Sequence, residues 1–319
     1  MISHFLARRL IWALLTLLLL SGMVFFGGQV LPGNIGRAIL GPLANAAAVD
    51  ALNHELGVDR PLLTQYGSWI WALLHGDMGI SYIYRQPVLP FVVSAIQKSL
   101  ALGAVALVLV VPLSLLGGIF AALNANKTPD RLITIFGLSA TVVPEFVSGI
   151  IFILVFGVWL RWLPVSAKWA DGADIWERLR HLLLPALPLV LILFGYIARM
   201  ARAGTIAALE ADYTRTAVLK GLPWRIVIWR HVLRNALLPT ISVIATQTGY
   251  LIGGLVVVET LFNYTGVGAL IFSAAKAKDF PMLQAGVLTV GAVYTISAIV
   301  ADLLFVLLNP RLRSGRAGR

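Results

Sequence analysis

Apolar runs that are nearly free of charged residues alternate with shorter polar segments along the whole chain. An α-helix needs about 20 apolar residues to cross a hydrocarbon core of about 30 Å, and most of these runs reach that length. The pattern therefore predicts an all-α membrane protein with six transmembrane helices. The predicted spans are residues 10–31, 99–123, 132–160, 182–198, 236–258 and 282–308.

The first apolar run has a second interpretation, as a secretory signal peptide, because Ala44, Asn45 and Ala46 resemble a cleavage site. The run is longer than the apolar region of about 7–15 residues that signal peptides carry, and the alanine-rich stretch lies well beyond it. We interpret residues 1–31 as a retained first span.

Residues 32–98 form the first large polar insertion, and we interpret them as a small folded cap, with a ligand site as the alternative. A helix after Pro61 would place Trp69 and Trp71 where they suit a membrane interface.

The longest basic interruption lies between the fourth and fifth apolar runs, at residues 210–239, and it predicts a helix, a break and a second helix. Gly221 would supply the break, and Pro223 suits the first position of the new helix. Before the break, one set of apolar residues recurs at helical spacing: Ile206, Leu209, Tyr213 and Ala217. After the break, another set would form one apolar face: Leu222, Ile226, Trp229 and Leu233.

Three interpretations of this basic segment fit its pattern. It could be an ordinary cytoplasmic loop of a membrane protein, an amphipathic helix on anionic lipid, or a docking element for a partner protein.

Composition supports the membrane class. Only 12% of the 319 residues are charged and the mean hydropathy is +0.88, whereas soluble domains carry about a quarter charged residues. The net charge of +11 could indicate nucleic-acid binding, but the apolar runs argue against it. The chain has no cysteine, no H-E-x-x-H pair, no G-x-S-x-G elbow and no G-x-x-x-x-G-K-[ST] phosphate loop, so we expect neither a metal centre nor catalysis.

Basic residues are distributed unevenly between the predicted loops. The amino end, the second and fourth loops and the tail carry fifteen Lys and Arg residues against three acids, while the opposite loops carry ten against eight. Basic loops stay in the cytoplasm. We therefore expect both termini and the loop at 205–238 to be cytoplasmic.

Many short motifs follow one another in an order and spacing that a known family shares. The densest group is Asp212-Tyr213-Thr214-Arg215-Thr216-Ala217, followed by Lys220-Gly221-Leu222 and by residues 230–239. Others lie at residues 54–61, 76–81, 181–186, 258–262, 279–281 and 309–313. Over nearly its whole length the chain resembles the B-type permease subunits of dipeptide, oligopeptide and nickel ABC importers.

The resemblance implies a type I ABC importer permease fold in the bacterial inner membrane. Residues 32–98 would be an extracytoplasmic insertion, residues 99–308 a five-helix core and residues 309–319 a cytoplasmic tail. The chain would form half of a pathway for peptides or a similar small solute and work by alternating access. The implied partners are a second homologous permease, two cytoplasmic ABC ATPases that bind ATP and Mg, an extracytoplasmic solute-binding protein and the lipid bilayer. No cofactor and no nucleic acid are expected in this chain.

The resemblance also implies that the loop around Gly221 is the coupling element, whose short helix docks in a groove on an ATPase. The expected coupling residues are Asp212, Arg215, Ala217, Lys220, Gly221, Leu222, Pro223, Ile226, Trp229, Arg230 and His231.

Acids within apolar runs are functional candidates because an ionisable group is costly at membrane depth. Glu259 and Asp302 lie near span ends, where pairing or capping explains them as well, whereas Glu145 follows Pro144 inside a run. The candidate translocation-path residues are Glu145, Gln247, Tyr250 and Glu259, with packing as the alternative for the aromatic side chain. An ion-gradient-driven secondary transporter with Glu145 or Glu259 as proton carrier is the alternative function.

Overall fold

The computed structural model describes residues 2–30, 35–41, 43–55, 57, 59–170 and 172–308. The side chains of some residues in this part, Tyr250 among them, lie outside the description, as do residues 32–34 and the predicted tail at 309–319. The regular secondary structure of the described residues is helical, and loops connect the helices; one isolated bridge joins Ile80 to Pro87. The helices are α1 (Ile2–Val30), α2 (Ile35–Leu40), α3 (Ala46–Glu55), α4 (Leu62–Leu74), α5 (Val88–Leu123), α6 (Thr128–Val142), α7 (Glu145–Phe152), α8 (Ile175–Glu210), α9 (Asp212–Leu219), α10 (Trp224–Ile226), α11 (Leu233–Leu261), α12 (Val267–Ala277) and α13 (Phe280–Leu308), with π-helical segments π1 (Ile153–Trp159) and π2 (Val227–Val232).

Four of the described helices, α1, α5, α8 and α13, are long and apolar enough to cross a membrane. A fifth candidate span exists if α6 and the helix formed by α7 and π1 count as one. The chain is thus an all-helical membrane protein with four or five candidate spans by length and composition. The remaining predicted span, residues 236–258, lies within the 29 residues of α11.

The third predicted span is confirmed as broken at Val143 and Pro144. Helix α6 ends at Val142, α7 begins at Glu145, and the two directions differ by 108°. Val143 and Pro144 both adopt extended backbone angles, as the residue before a proline favours. The break gives Glu145 the first position of a helix.

Two helices are longer than the apolar runs that predicted them. Helix α5 begins at Val88 rather than near Ser99, and α8 extends from Ile175 to Glu210 rather than over residues 182–198 alone. Apolar content locates the membrane-crossing part of a helix, whereas its polar ends continue as long as backbone hydrogen bonds do.

The chain divides into two compact units. The first comprises residues 1–99 and 265–293, and the second residues 100–264 and 294–319. In the first unit, Val88 and Val92 of α5 pack with Ala274 of α12 and Met282 of α13. The buried carboxylate of Asp279 supports this cluster, since it accepts hydrogen bonds from the Ser81 hydroxyl and from the backbone N–H of Tyr82 (3.2 Å). Burial and the nearby Asp279 charge raise the pKa of Tyr82 to about 12.

The second unit is organised around α8, whose side chains form half of its main buried cluster. Leu184, Leu193 and Ile197 of α8 are buried with Leu102 of α5 and Leu255 of α11. Glycines allow the backbones to approach closely. A Cβ added at Gly195 would collide with the backbone oxygen of Gly137 in α6, and at four other glycines of this unit it would collide with a neighbouring helix: Gly103, Gly118, Gly149 and Gly204.

Candidate functional site

The polar segment after α8 folds onto the end of that helix. Helix α8 stops at Glu210 because Ala211 adopts extended backbone angles (φ −70°, ψ 146°). The single helix predicted from Ile206 to Ala217 is therefore wrong: α8 and α9 are separate. The Thr214 hydroxyl, which is buried, donates to the Ala208 carbonyl at 2.7 Å and ties the first turn of α9 back to α8.

The predicted break at Gly221 is confirmed, and the backbone shows its cause. Gly221 has φ +73°, a left-handed conformation that costs a side-chain-bearing residue about 1 kcal/mol or more. Its N–H donates to the Val218 carbonyl at 2.9 Å, and the Leu222 N–H reaches back to the Ala217 carbonyl at 3.4 Å. These two bonds are those of a Schellman motif, which satisfies the last carbonyls of a helix.

The second helix begins one residue later than predicted. Pro223 takes the N-cap position, with extended angles (φ −56°, ψ 137°), and Trp224 is the first helical residue. The Pro223 carbonyl accepts hydrogen bonds from the N–H groups of Ile226 (2.8 Å) and Val227 (3.1 Å). Proline leaves no N–H unpaired at this point.

The side chains of this second helix separate into a buried and an exposed face. Val227 and Val232 are fully buried and Ile228 nearly so, in a cluster with Ala208, Ala217 and other small or apolar residues. Large apolar side chains of this helix and of the turn before it are exposed instead. They and their exposed fractions are Leu219 (80%), which ends α9, Leu222 (37%) in the turn, and Trp224 (57%), Ile226 (43%) and Trp229 (68%) in the second helix. We call these five residues the exposed apolar face.

The prediction that Leu233 belongs with Leu222, Ile226 and Trp229 on one face is wrong. Leu233 is buried with Val232 in the cluster under the helix. Residues Val227–Val232 are π-helical, and i→i+5 hydrogen bonding places more residues in a turn than an α-helix does. The regular spacing assumed from the sequence therefore fails at this turn.

Charged residues surround the exposed apolar face. Arg215, Lys220, Arg225 and Arg230 are exposed, as is Asp212 at the start of α9, while His231 is half-buried. Every predicted coupling residue lies within this one folded segment. Ala217 differs from the others in being buried. It packs in the apolar cluster that also contains Val227 and Val232.

An ion pair that the sequence reasoning missed joins α6 to α8 near the same end of α8. The Arg202 guanidinium donates from Nε and Nη2 to the two carboxylate oxygens of Asp130, at 2.5 and 2.7 Å. The Asn126 N–H (2.8 Å) and the Thr134 hydroxyl (3.3 Å) donate to the same carboxylate. Asp130 is 4% exposed at its side chain. The available signal was a single acid at the start of α6 and an arginine among the small residues of α8.

The candidate path residues lie on α7 and α11. Glu145 is half-buried at the start of α7, Glu259 is fully buried near the end of α11, and Gln247 is half-buried in the middle of α11. The ends of these two helices meet, because a Cβ at Gly149, one turn after Glu145, would collide with Leu261. The side chain of Tyr250 lies outside the described residues.

Comparison with known proteins identifies the family. Residues 114–314 match the family described as "Binding-protein-dependent transport system inner membrane component". Residues 1–103 match the one described as "Binding-prot-dependent transport system membrane comp, N-term". The chain belongs to this family. It is a permease subunit of an ABC importer, and the alternative of an ion-gradient-driven secondary transporter is excluded.

The chain is also similar over nearly its full length to curated permeases. It is 35% identical to the "Glutathione transport system permease protein GsiC" of Escherichia coli O6:H1 and of Shigella dysenteriae serotype 1, over 97% of this chain and 99% of the relative. The protein of the same name from Shigella boydii serotype 4 is 34% identical over the same shares. The family's transport systems depend on a solute-binding protein and on ATPase subunits, which are therefore partners of this inner membrane chain.

Proposed function

We propose that this chain forms half of the translocation pathway for a peptide-like solute and is driven by ATPase subunits that dock on its exposed apolar face. The solute class rests on the likeness to permeases named for glutathione transport, which covers 97% of the chain. The docking role rests on one observation: five large apolar side chains are exposed on the second helix and the turn before it, while Val227 and Val232 of that helix are buried. A helix of this kind suits a groove on a partner.

The arrangement of the segment gives docking a mechanical consequence. Val227 and Val232 anchor the second helix to the end of α8 through Ala208, and α8 forms the centre of the second unit. Movement of an ATPase subunit bound to Trp229 would therefore displace α8 together with the helices packed against it. Rigid-body rocking of packed helices is a standard form of alternating access.

The topology that goes with this proposal has six spans, a type I importer fold and both termini in the cytoplasm. Residues 32–98 would be extracytoplasmic, residues 99–308 the permease core and the loop at 205–238 cytoplasmic. It is supported by the fifteen basic residues of the loops assigned to the cytoplasm and by the length of α11. A second homologous permease would complete the pathway, with Glu145, Gln247, Tyr250 and Glu259 as lining candidates.

Replacing Trp229 with alanine tests the docking role. We expect Trp229→Ala to weaken binding of the ATPase subunits by about thirtyfold or more and to reduce ATP-driven uptake and co-purification accordingly, since a buried tryptophan anchor contributes about 2 kcal/mol or more to an interface. Trp176→Ala is the matched control, because Trp176 is 75% exposed at the start of α8, away from the loop. Uptake in proteoliposomes and pull-down of the complex are the measurements. Wild-type uptake by Trp229→Ala would remove the docking role.

Gly221 provides a test of the break itself. Proline cannot adopt φ +73° and lacks the N–H that Gly221 donates to Val218, so Gly221→Pro should uncouple ATP hydrolysis from transport while the chain still inserts. Asparagine tolerates left-handed angles, and nothing lies within 4 Å of a Cβ at this position, so Gly221→Asn should retain most of the coupling. Equal transport in the two variants would contradict the proposal.

A further inference from the structure

Helix α4 is an uncharged helix of which one side stays exposed among the described residues. Its 13 residues contain no Asp, Glu, Lys or Arg, and none of them is buried. Leu63 and Leu74 are each 76% exposed and Trp71 is 67% exposed. At about 100° per residue, Leu63 and Leu74 lie within about 20° of each other around the helix, and Trp71 lies on the same half. These three side chains form what we call the open face of α4.

The other side of α4 is attached to α1. The Tyr66 hydroxyl and Ser21 Oγ are 2.8 Å apart, and because the Ser21 hydroxyl already donates to the Leu18 carbonyl, Tyr66 is the donor between them. The ring of Phe25, which is buried, lies 5.4 Å from the Tyr66 ring and 5.5 Å from the Trp69 ring. Aromatic pairs at these distances add to the attraction beyond buried area.

The attachment lies below the end of a membrane span. The apolar candidate span of α1 runs from Ala7 to Gly28, so Ser21 lies seven residues before its end. At 1.5 Å per residue this corresponds to a depth of about 10 Å. In a membrane that α1 crosses over this span, the Ser21 contact would hold α4 at the level of the lipid acyl chains rather than in the water above them.

The ends of α4 show how it is oriented. Asp59 and Arg60 precede it, and His75 and Asp77 follow it, so both ends carry polar groups that seek the headgroups. The His75 ring caps the carboxyl end of α4, since its Nδ1 lies 2.8 Å from the Trp71 carbonyl oxygen. A helix of 13 residues is about 20 Å long, too short to cross a core of about 30 Å. Two polar ends and this length fit a helix that lies along the membrane plane.

We propose that α4 is embedded in the membrane leaflet at the carboxyl end of α1, with its open face covered by lipid acyl chains. In the orientation proposed above this is the outer leaflet. Helix α1, to which α4 is attached, also exposes large apolar side chains, among them Leu19 (60%) and Met23 (73%). The open face of α4 has no charged residue that could form the polar rim of a protein interface. Trp71 also fits a membrane position, because tryptophan is enriched where membrane meets water.

The absence of cysteine from the chain permits a direct test. Single nitroxide labels are placed on Leu63→Cys and Leu74→Cys, in the full chain assembled with its partner subunits in liposomes of phosphatidylethanolamine and phosphatidylglycerol. Ser68→Cys is the control: Ser68 is exposed but lies about 140° from Leu63 around the helix. We expect the ratio of oxygen to nickel-chelate collision rates to be severalfold higher at 63 and 74 than at 68.

Two outcomes would overturn the proposal. Ready access of the nickel chelate to all three labels would show that water covers the open face. Protection of positions 63 and 74 from both reagents, with cross-links to the second permease or to the binding protein, would show that a protein covers it.

A second measurement avoids cysteine and label altogether. Lipids with brominated acyl chains should quench the tryptophan emission of the parent chain more than that of Trp71→Phe. Equal quenching of the two proteins would place Trp71 outside the acyl region and contradict the proposal.

Discussion

Helices α1 and α8 have similar hydropathy, yet the fraction of each that is buried in the folded chain differs widely. In the most apolar part of α8, 72% of the residues are buried inside the protein, compared with 11% in that of α1. Hydropathy therefore measures whether a helix can enter the membrane, and it does not tell which helix forms the core. Whether a helix forms the core depends on the size of the side chains at its contacts with other helices.

The side chains of the two helices show the difference. Helix α8 carries Gly195, Ala198, Ala201 and Gly204 in sequence, and the glycines of neighbouring helices meet this row. In a membrane, lipid is as apolar as leucine, so helices associate where small residues allow close packing. Helix α1 instead exposes large side chains such as Ile11, Leu14 and Met23. It presents a surface suited to lipid or to another subunit.

The largest effect is expected from filling the contact between α8 and α6. In Gly195→Leu the new side chain would collide with the Gly137 backbone oxygen and with Thr141, and backbone cannot move aside as a side chain can. We expect a loss of more than about 3 kcal/mol and little folded protein. The measurement is the yield of monodisperse protein in detergent, together with its thermal transition.

The matched substitution on α1 is Gly22→Leu. Nothing lies within 4 Å of a Cβ at Gly22, so yield and thermal transition should equal those of the parent chain. Equal damage at positions 22 and 195 would show that the two helices do not differ as described.

The second effect concerns the ion pair that ties α6 to α8. Arg202→Met leaves the Asp130 carboxylate buried without its counter-charge, which costs about 3–5 kcal/mol. The double variant Asp130→Leu with Arg202→Met removes both charges and should recover much of that loss. Thermal transitions of the three proteins measure the coupling.

The control for the ion pair is Arg8→Met on α1, where the arginine is exposed. It should leave the thermal transition unchanged. A double variant as unstable as Arg202→Met would mean that the pair contributes through shape rather than charge.

The smallest effect is expected at the attachment of α4 to α1. Tyr66→Phe keeps the ring contacts with Phe25 and removes only the hydrogen bond to Ser21, so the expected loss is about 1 kcal/mol. A modest decrease in the thermal transition, with full yield, is the expected result. An effect as large as that of Gly195→Leu would show that α1 and α4 belong to the stabilising core after all.

Several features were predictable because they are local in the sequence. The apolar runs located the long helices, Pro144 located the break before Glu145, and Gly221 located the left-handed turn. Each of these features depends on a residue's own backbone preference or on its transfer into lipid. Neither of these two properties requires a partner that is distant in the sequence. The motif order was equally local, and it led to the family that the comparisons confirmed.

Other features depended on partners that are far apart in the chain. The sequence did not show that α8 and α9 separate at Ala211, or that a π-helical turn buries Leu233. It did not pair Asp130 with Arg202, which are 72 residues apart. These features arise from packing and from buried hydrogen bonds, whose energies exist only once the helices have met.

By itself, the sequence determined that this chain is a helical membrane protein of the importer permease family, because transfer into lipid and local backbone preference are properties of short segments. Only the tertiary structure decided that α8 forms the core of the second unit, that most of the apolar span of α1 stays unburied and that the loop after α8 keeps its apolar side chains exposed. Those outcomes depend on which surfaces fit closely against one another. Small residues on several helices must coincide in space, and no single segment contains that information.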